Sequence, residues 1–137
     1  MLQRALIAAS ASLMVVAGLS ACNRGTPSGN ARPRVALVLK TLNNPFFIEM
    51  QRGATEAGKT LNVDLTVQAA ERETDVDKQM QIIENLIQAR VDALAVTPSG
   101  SREVVPAIGK ANQANIPVVV VDTRLDGVEM RGPRLAF

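Results

Sequence analysis

The sequence predicts an α/β fold: a doubly wound parallel sheet with the element order β-α-β-α-β-α-β. From Arg34 onward, short runs rich in β-branched residues alternate with longer stretches in which apolar residues recur at helical spacing. Most of the short runs are apolar without interruption, which is typical of strands that helices cover on both faces. In such sheets the functional residues are expected beyond the carboxyl ends of the strands, where strand order reverses.

Four strands are predicted. Residues 35–39 read Val-Ala-Leu-Val-Leu and are expected to form a central strand, because no polar side chain interrupts them. Residues 63–67 alternate between apolar and polar side chains, which predicts a half-exposed strand at the edge of the sheet. Residues 93–96 and 118–121 are again fully apolar and complete the sheet.

The first helix is predicted to begin after Asn44. The Asn44 side chain can cap the helix, and Pro45 has a backbone dihedral suited to the first helical position. Five apolar residues follow at spacings of 3, 4, 3 and 4, which places them on one face that is expected to pack on the sheet. These residues are Phe47, Met50, Ala54, Ala57 and Leu61.

Two further helices have recognisable starts or ends. The second is predicted to have Thr74 as its N-cap with Asp77 three residues later, close to a capping box. Its expected buried face comprises Val76, Met80, Ile83 and Ile87. The third, over residues 102–115, is predicted to stop before Pro117, since a proline disfavours helix for the residue before it. It is expected to bury Val104, Ile108 and Ala111.

The first 21 residues have the layout of a signal peptide. They contain Arg4, no acidic residue, and an apolar run that is shorter than the roughly 20 residues of a membrane-spanning helix. Leu19-Ser20-Ala21-Cys22 resembles the lipobox of bacterial lipoproteins, which implies lipidation of Cys22, anchoring to the membrane and residence in the periplasm or cell envelope. The alternative is an ordinary free cysteine. Residues 22–33 are rich in turn-forming residues and are expected to be a flexible tether.

The composition narrows the possible functions. The chain has no histidine and one cysteine, so it lacks the side chains of a zinc or haem site and of a serine-histidine catalytic pair. Neither glycine-rich phosphate-binding motif occurs. The net charge is +2, with acidic and basic residues interspersed, which does not favour nucleic acid as a partner. We therefore expect no enzyme, no cofactor and no metal.

The loop after the first strand contains the most distinctive residues. It reads Lys40-Thr41-Leu42-Asn43-Asn44-Pro45-Phe46-Phe47. Phe47 begins the buried helical face, so its neighbour Phe46 is expected to point about 100° away, toward the open end of the sheet. An aromatic ring there can stack on the C–H face of a sugar.

The sequence V-A-L-V-L-K-T-L-N-N-P-F-F, together with A-N-Q-A-N-I-P-V-V-V-V-D at residues 111–122, resembles the ribose- and galactose-type periplasmic binding proteins. The resemblance implies the N-terminal lobe of a type I periplasmic binding protein over residues 34–124. It also implies a small-molecule ligand, a monosaccharide in the first place, and an ABC permease as partner of the full-length form. The ligand contacts implied by the family fall on Asn44, Phe46, Phe47 and Asp122. A carboxylate such as Asp122 can accept hydrogen bonds from two adjacent hydroxyls.

Several positions depart from the ribose-binding pattern. Lys40 replaces a small hydroxyl residue, Thr97 stands in the place of an asparagine, and Thr123 stands where an arginine is usual, with Arg124 one position later. All four are possible ligand contacts. Lys40 either contacts an anionic or more oxidised ligand or is a solvated lysine at a strand end.

The resemblance also implies a second lobe, which is expected to be absent from this chain. Residues 125–137 are interpreted as the start of a truncated crossover between lobes. One alternative is therefore a non-functional fragment of such a lipoprotein. Another is the ligand-sensing core of a lac-repressor-type regulator, but residues 1–33 favour an export signal and tether over the DNA-binding helices that this class requires.

Overall fold

The computed structural model describes residues 31–127. Seven elements follow one another in the predicted order. The strands are β1 (Arg34–Thr41), β2 (Asp64–Ala70), β3 (Ala93–Val96) and β4 (Val118–Val120). The helices are α1 (Pro45–Thr60), α2 (Val76–Gln88) and α3 (Val105–Gln113). The predicted element order is confirmed.

The four strands form one parallel sheet in the order β2-β1-β3-β4. The register places Leu37 of β1 opposite Val67 of β2 on one side and Ala95 of β3 on the other. The chain therefore moves outward from β1 to β2 and then returns past β1 to β3. This reversal of strand order places the switch point of the sheet between β1 and β3.

Alternate residues of β1 point to opposite faces of the sheet, and each face has its own core. Leu37 and Leu39 pack with Phe47 of α1 on one face. Ala36 and Val38 belong to a larger cluster on the other face that includes residues of α2 and α3. Helices thus cover both faces of β1, which confirms the doubly wound α/β class.

The two edges of the sheet differ in how well the sequence predicts them. β2 is a half-exposed edge strand, as its alternating pattern indicates. β4 is also an edge strand within the described residues, and its central residue Val119 is exposed although the run is fully apolar. β4 ends at Val120, one residue earlier than predicted. An uninterrupted apolar run therefore does not by itself place a strand in the interior.

The buried face of α1 was predicted correctly at its start and wrongly at its end. Phe47 is buried and Met50 and Ala54 are partly buried, but Ala57 and Leu61 are exposed. The helix ends at Thr60, and Gly58 instead continues the buried face. A Cβ atom at Gly58 would lie 3.2 Å from the Leu65 Cβ, so the absence of a side chain allows α1 to approach β2 closely.

The start and buried face of α2 also differ from the prediction. Asp75 is the N-cap, not Thr74, and the Asp75 carboxylate accepts hydrogen bonds from Arg72 and does not cap the helix. The predicted face is displaced: Ile83 is buried, but Val76, Met80 and Ile87 are only partly buried. The fully buried face of α2 comprises Gln79, Ile82, Ile83 and Leu86.

The third helix is shorter than predicted. α3 covers Val105–Gln113, because residues 101–104 form a turn ahead of it and residues 114 and 115 form one after it. Val104, Ile108 and Ala111 are buried as predicted. Within residues 31–127, every helix is too short or too polar to span a lipid bilayer.

Candidate functional site

The carboxyl ends of β1, β3 and β4 lie side by side at one edge of the sheet, because the three strands are parallel and β3 lies between the other two. This edge, here called the ligand edge, carries Lys40 at the end of β1, Thr97 after β3, and Asp122 and Thr123 after β4. The sequence analysis selected all four positions. Their side chains have different surroundings.

The Lys40 side chain connects β1 to the residues that follow β4. Its Nζ donates a hydrogen bond of 2.7 Å to the Thr123 Oγ1 and lies 3.5 Å from the Asp122 Oδ2. The Thr123 hydroxyl in turn donates to the Asp122 Oδ2 at 3.1 Å. The lysine side chain is 17% exposed and the aspartate side chain 35%. Lys40 is therefore a partly buried, paired cation and not a freely solvated lysine.

Thr97 lies beneath the ligand edge and not on its surface. The residue is fully buried, and its Oγ1 accepts a 3.1 Å hydrogen bond from the Lys40 backbone N–H and donates to the Val38 carbonyl at 3.4 Å. Both hydrogen-bonding roles of the hydroxyl are thus taken by β1. Thr97 was predicted as a candidate ligand contact, but its hydroxyl is not exposed at the ligand edge. Thr97 holds the backbone of Lys40.

Asp122 has a left-handed backbone conformation, with φ of 67°. Aspartate tolerates this region better than most residues, since its short polar side chain can form local hydrogen bonds. The backbone turns at Asp122, where the Thr123 N–H donates to the Val121 carbonyl at 2.8 Å. This turn brings the Asp122 carboxylate and the Thr123 hydroxyl to the Lys40 ammonium.

Asn44 uses its side chain within the protein. Its Oδ1 accepts from the Phe46 N–H at 3.0 Å, which is the predicted N-cap interaction at the start of α1. Its Nδ2 donates to the Glu73 Oε1 at 2.7 Å, in the loop after β2. Asn44 therefore ties the first loop to the second, and a ligand contact by its amide would compete with Glu73.

The two adjacent phenylalanines have opposite environments, as the helical geometry predicts. Phe46 is 53% exposed, whereas Phe47 is 3% exposed. Their rings meet edge to face, with centroids 5.2 Å apart and an interplanar angle of 78°. The Lys40 Nζ lies 5.9 Å from the centroid of Phe47. Phe47 thus links the exposed ring of Phe46 to the cation of the ligand edge.

Two candidates from the sequence remain, Arg124 and Cys22. Arg124 is exposed, and its guanidinium forms no ion pair within residues 31–127. Cys22 lies outside the described residues. In the part of the chain that the structure describes, no group of three or more potential metal ligands occurs.

One residue of the site was not predicted from the sequence. Gln79 of α2 is fully buried beneath the ligand edge and hydrogen-bonds to the ends of β1 and β3. The sequence contained one indication of this role: the amide side chain of Gln79 lies within the apolar face of a helix, three residues after Val76 and four before Ile83. A polar residue at such a position is unfavourable unless it has buried partners.

The fold and the site together describe a lobe of the α/β class that has donors, an acceptor and an exposed ring near its strand ends. Residues 35–137 match the family described as periplasmic binding protein domain. The chain belongs to this family, which confirms the resemblance seen in its sequence.

Individual relatives are also similar. The D-ribose/D-allose-binding protein of Pseudomonas aeruginosa is 40% identical over 110 residues, which cover 79% of this chain and 34% of that protein. The D-allose-binding periplasmic protein of Escherichia coli is 33% identical over 99 residues, covering 72% and 32%. A solved periplasmic solute binding protein of an ABC transporter from Actinobacillus succinogenes, with bound D-allose, is 44% identical with a TM-score of 0.68, covering 70% and 34%. The chain thus spans about a third of the length of the relatives it matches.

Proposed function

We propose that this lobe forms one wall of a monosaccharide-binding cleft in the extracytoplasmic solute-binding component of an ABC transporter. The observation that supports this most directly is the group formed by Lys40, Asp122 and Thr123, with the exposed ring of Phe46 beyond it. The relatives named above bind ribose or allose, which supports a monosaccharide as the class of ligand.

The chemistry of the ligand edge favours a neutral, hydroxyl-rich ligand. The Lys40 ammonium faces the Asp122 carboxylate, so the pair has no net charge to offer an anion. Hydroxyl groups both donate and accept, and the pair presents a donor beside an acceptor. Phe46 adds an apolar surface on which the C–H face of a sugar ring can stack. Lys40 was interpreted either as a contact to an anionic ligand or as a solvated lysine. Its contacts with Asp122 and Thr123 support a role in the site, but they do not favour an anionic ligand.

Export and anchoring are part of the same proposal. Residues 1–21 have the composition of a signal peptide, and Cys22 follows directly in a lipobox-like sequence. A lipid-modified Cys22 would hold the lobe at the outer surface of the membrane, where an ABC permease can receive its ligand. Residues 22–33 would serve as the tether.

The ligand proposal is tested by titrating the purified full chain with D-ribose, D-allose and the charged sugar D-galacturonate, followed by NMR. We expect the two neutral sugars to bind with a dissociation constant of about 1 mM or weaker, because one wall leaves many ligand hydroxyls in water. The shifted signals should include those of Phe46, Asp122 and Thr123. D-galacturonate should shift these signals less at equal concentration.

Two results would contradict the proposal. Saturation by D-galacturonate at lower concentration than by either neutral sugar would show that Lys40 recognises an anion. An absence of sugar-dependent shifts at the ligand edge, with the spectrum of a folded protein, would show that the described lobe does not bind these sugars and would favour the non-functional alternative.

A further inference from the structure

The interface between α2 and the sheet contains a polar side chain without access to solvent. Gln79 is 0% exposed, whereas the neighbouring buried residues of α2 are the apolar Ile82, Ile83 and Leu86. A buried amide is unfavourable unless its donors and acceptor find partners. The partners of Gln79 therefore indicate what the residue does at this position.

All partners of the Gln79 side chain are backbone groups, two at the carboxyl ends of strands and one in the turn after β3. Its Nε2 donates to the Thr97 carbonyl at 2.9 Å and to the Leu39 carbonyl at 3.4 Å. Its Oε1 accepts from the Ser99 N–H at 2.8 Å. One side chain thus joins the end of β1, the end of β3 and the turn that follows β3.

These contacts lead directly to Lys40. The Leu39 carbonyl belongs to the same peptide group as the Lys40 N–H, and that N–H donates to the Thr97 Oγ1. Gln79 therefore binds the peptide before Lys40 and also the backbone of the residue whose hydroxyl holds Lys40. From this fixed position the Lys40 side chain reaches past the end of β3 to Thr123.

We propose that Gln79 is a positioning residue of the ligand edge: its amide holds the ends of β1 and β3 in the arrangement that directs the Lys40 ammonium to Thr123 and Asp122. Gln79 has no contact with the ligand surface and acts through Lys40. The consequence for sugar binding rests on the proposed function, whereas the placement of Lys40 does not.

The test uses the full chain and two variants that remove different links. Gln79→Met has a similar length and removes all three amide hydrogen bonds, and Thr97→Val removes the hydroxyl that binds Lys40 while keeping the shape. Each is made alone and together with Lys40→Met. Gln81→Met is the matched control, because Gln81 is exposed on the same helix.

Two quantities are measured for the variants that fold. The first is the NMR signals of the Lys40 side-chain ammonium and its adjacent methylene, in the variants that retain Lys40. The second is the dissociation constant for D-allose. We expect Gln79→Met to move the Lys40 signals toward those of the exposed Lys59 and to weaken D-allose binding by about tenfold, while Gln81→Met changes neither. In the Lys40→Met background the effect of Gln79→Met on binding should fall below about twofold, because the residue through which it acts is absent.

A purely structural role would give a different pattern. Gln79→Met would lower the melting temperature but leave the Lys40 signals in place, or it would weaken binding equally with and without Lys40. Either result would overturn the proposal. If Gln79→Met does not fold, Thr97→Val is judged by the same criteria. If the unsubstituted chain binds no D-allose, the proposed function is wrong, and the Lys40 signals alone test the positioning role. A shift of these signals in Gln79→Met supports that role, and unchanged signals overturn it.

Discussion

The Lys40 Nζ lies 3.5 Å from the Asp122 Oδ2, although β1 and β4 are not neighbours in the sheet. The lysine side chain bridges the two strand ends past β3, and the Thr123 hydroxyl accepts from the Lys40 ammonium and donates to the Asp122 carboxylate. This relationship makes one residue at the end of β1 and two residues after β4 into a single group.

Lys40→Met should change ligand binding more than stability. A partly exposed ion pair contributes about 0.5–1 kcal/mol to the free energy of unfolding, so the variant should remain folded. Sugar binding should weaken, because the Asp122 carboxylate loses its donor and its orientation. Urea unfolding and a D-allose titration measure the two effects, with Lys59→Met on the exposed last turn of α1 as control. Equal affinity in both variants would show that Lys40 is outside the site.

Substitutions of Asp122 should separate backbone strain from loss of the carboxylate. Asp122→Ala should cost about 1–2 kcal/mol of stability, since alanine is poorly tolerated at a φ of 67°. Asp122→Gly should be more stable than Asp122→Ala, because glycine adopts positive φ without strain. Both should lose sugar binding to the same extent. Chemical denaturation gives the stability order, and equal stability of the two variants would contradict a left-handed Asp122.

The two phenylalanines should respond differently to truncation. Phe47→Ala should cost about 3–5 kcal/mol as a large-to-small change in a core, which is enough to unfold a marginal lobe. Phe46→Ala should cost only about 1 kcal/mol, the order of the edge-to-face contact with Phe47. In a full-length homologue carrying the same loop, it should also weaken sugar binding by about 1–3 kcal/mol through lost stacking area.

Thermal melts and sugar titrations measure both phenylalanine variants, and Ile48→Ala removes another exposed apolar side chain of α1 as the control. Early melting of Phe46→Ala with unchanged affinity would remove Phe46 from the ligand face.

Asn44→Ala should lower stability by about 1 kcal/mol, because it removes the N-cap of α1. Asn44→Ser should recover most of this loss, since serine also accepts from the helix N–H groups but cannot reach Glu73 in the same way. Melting temperatures give the order, and Asn85→Ala on the exposed face of α2 is the control for loss of an asparagine. A Ser variant no more stable than the Ala variant would indicate that the Glu73 contact matters more than the cap.

Cys22→Ala should release the protein from the membrane. Two acyl chains at a lipidated cysteine anchor a protein stably to the membrane, and Cys22→Ala removes the residue that would carry them. Fractionation of the cell envelope and mass spectrometry of the mature N-terminus check this prediction. Recovery of the unsubstituted protein in the soluble periplasmic fraction without a lipid adduct would show that the lipobox interpretation is wrong.

The sequence by itself determined the features that depend on near neighbours along the chain. Continuous apolar runs predicted β1 and β3, and the alternating run predicted the edge strand β2. The cap at Asn44 and the different burial of Phe46 and Phe47 follow from the geometry of a single helix. The family resemblance indicated Lys40 and Asp122 for the same reason, because each lies within a short motif of consecutive residues.

Tertiary structure alone decided where the longer-range polar side chains find their partners. The burial of Thr97, the bridge from Lys40 to Asp122 and the amide contacts of Gln79 all depend on β3 lying between β1 and β4. The exposure of Leu61 likewise depends on where α1 ends over β2. Periodicity indicates which face of an element is apolar, but it contains no information about which strand ends become neighbours. A hydrogen bond requires its donor and acceptor atoms to lie within about 3.5 Å of each other, and only the folded sheet establishes that proximity.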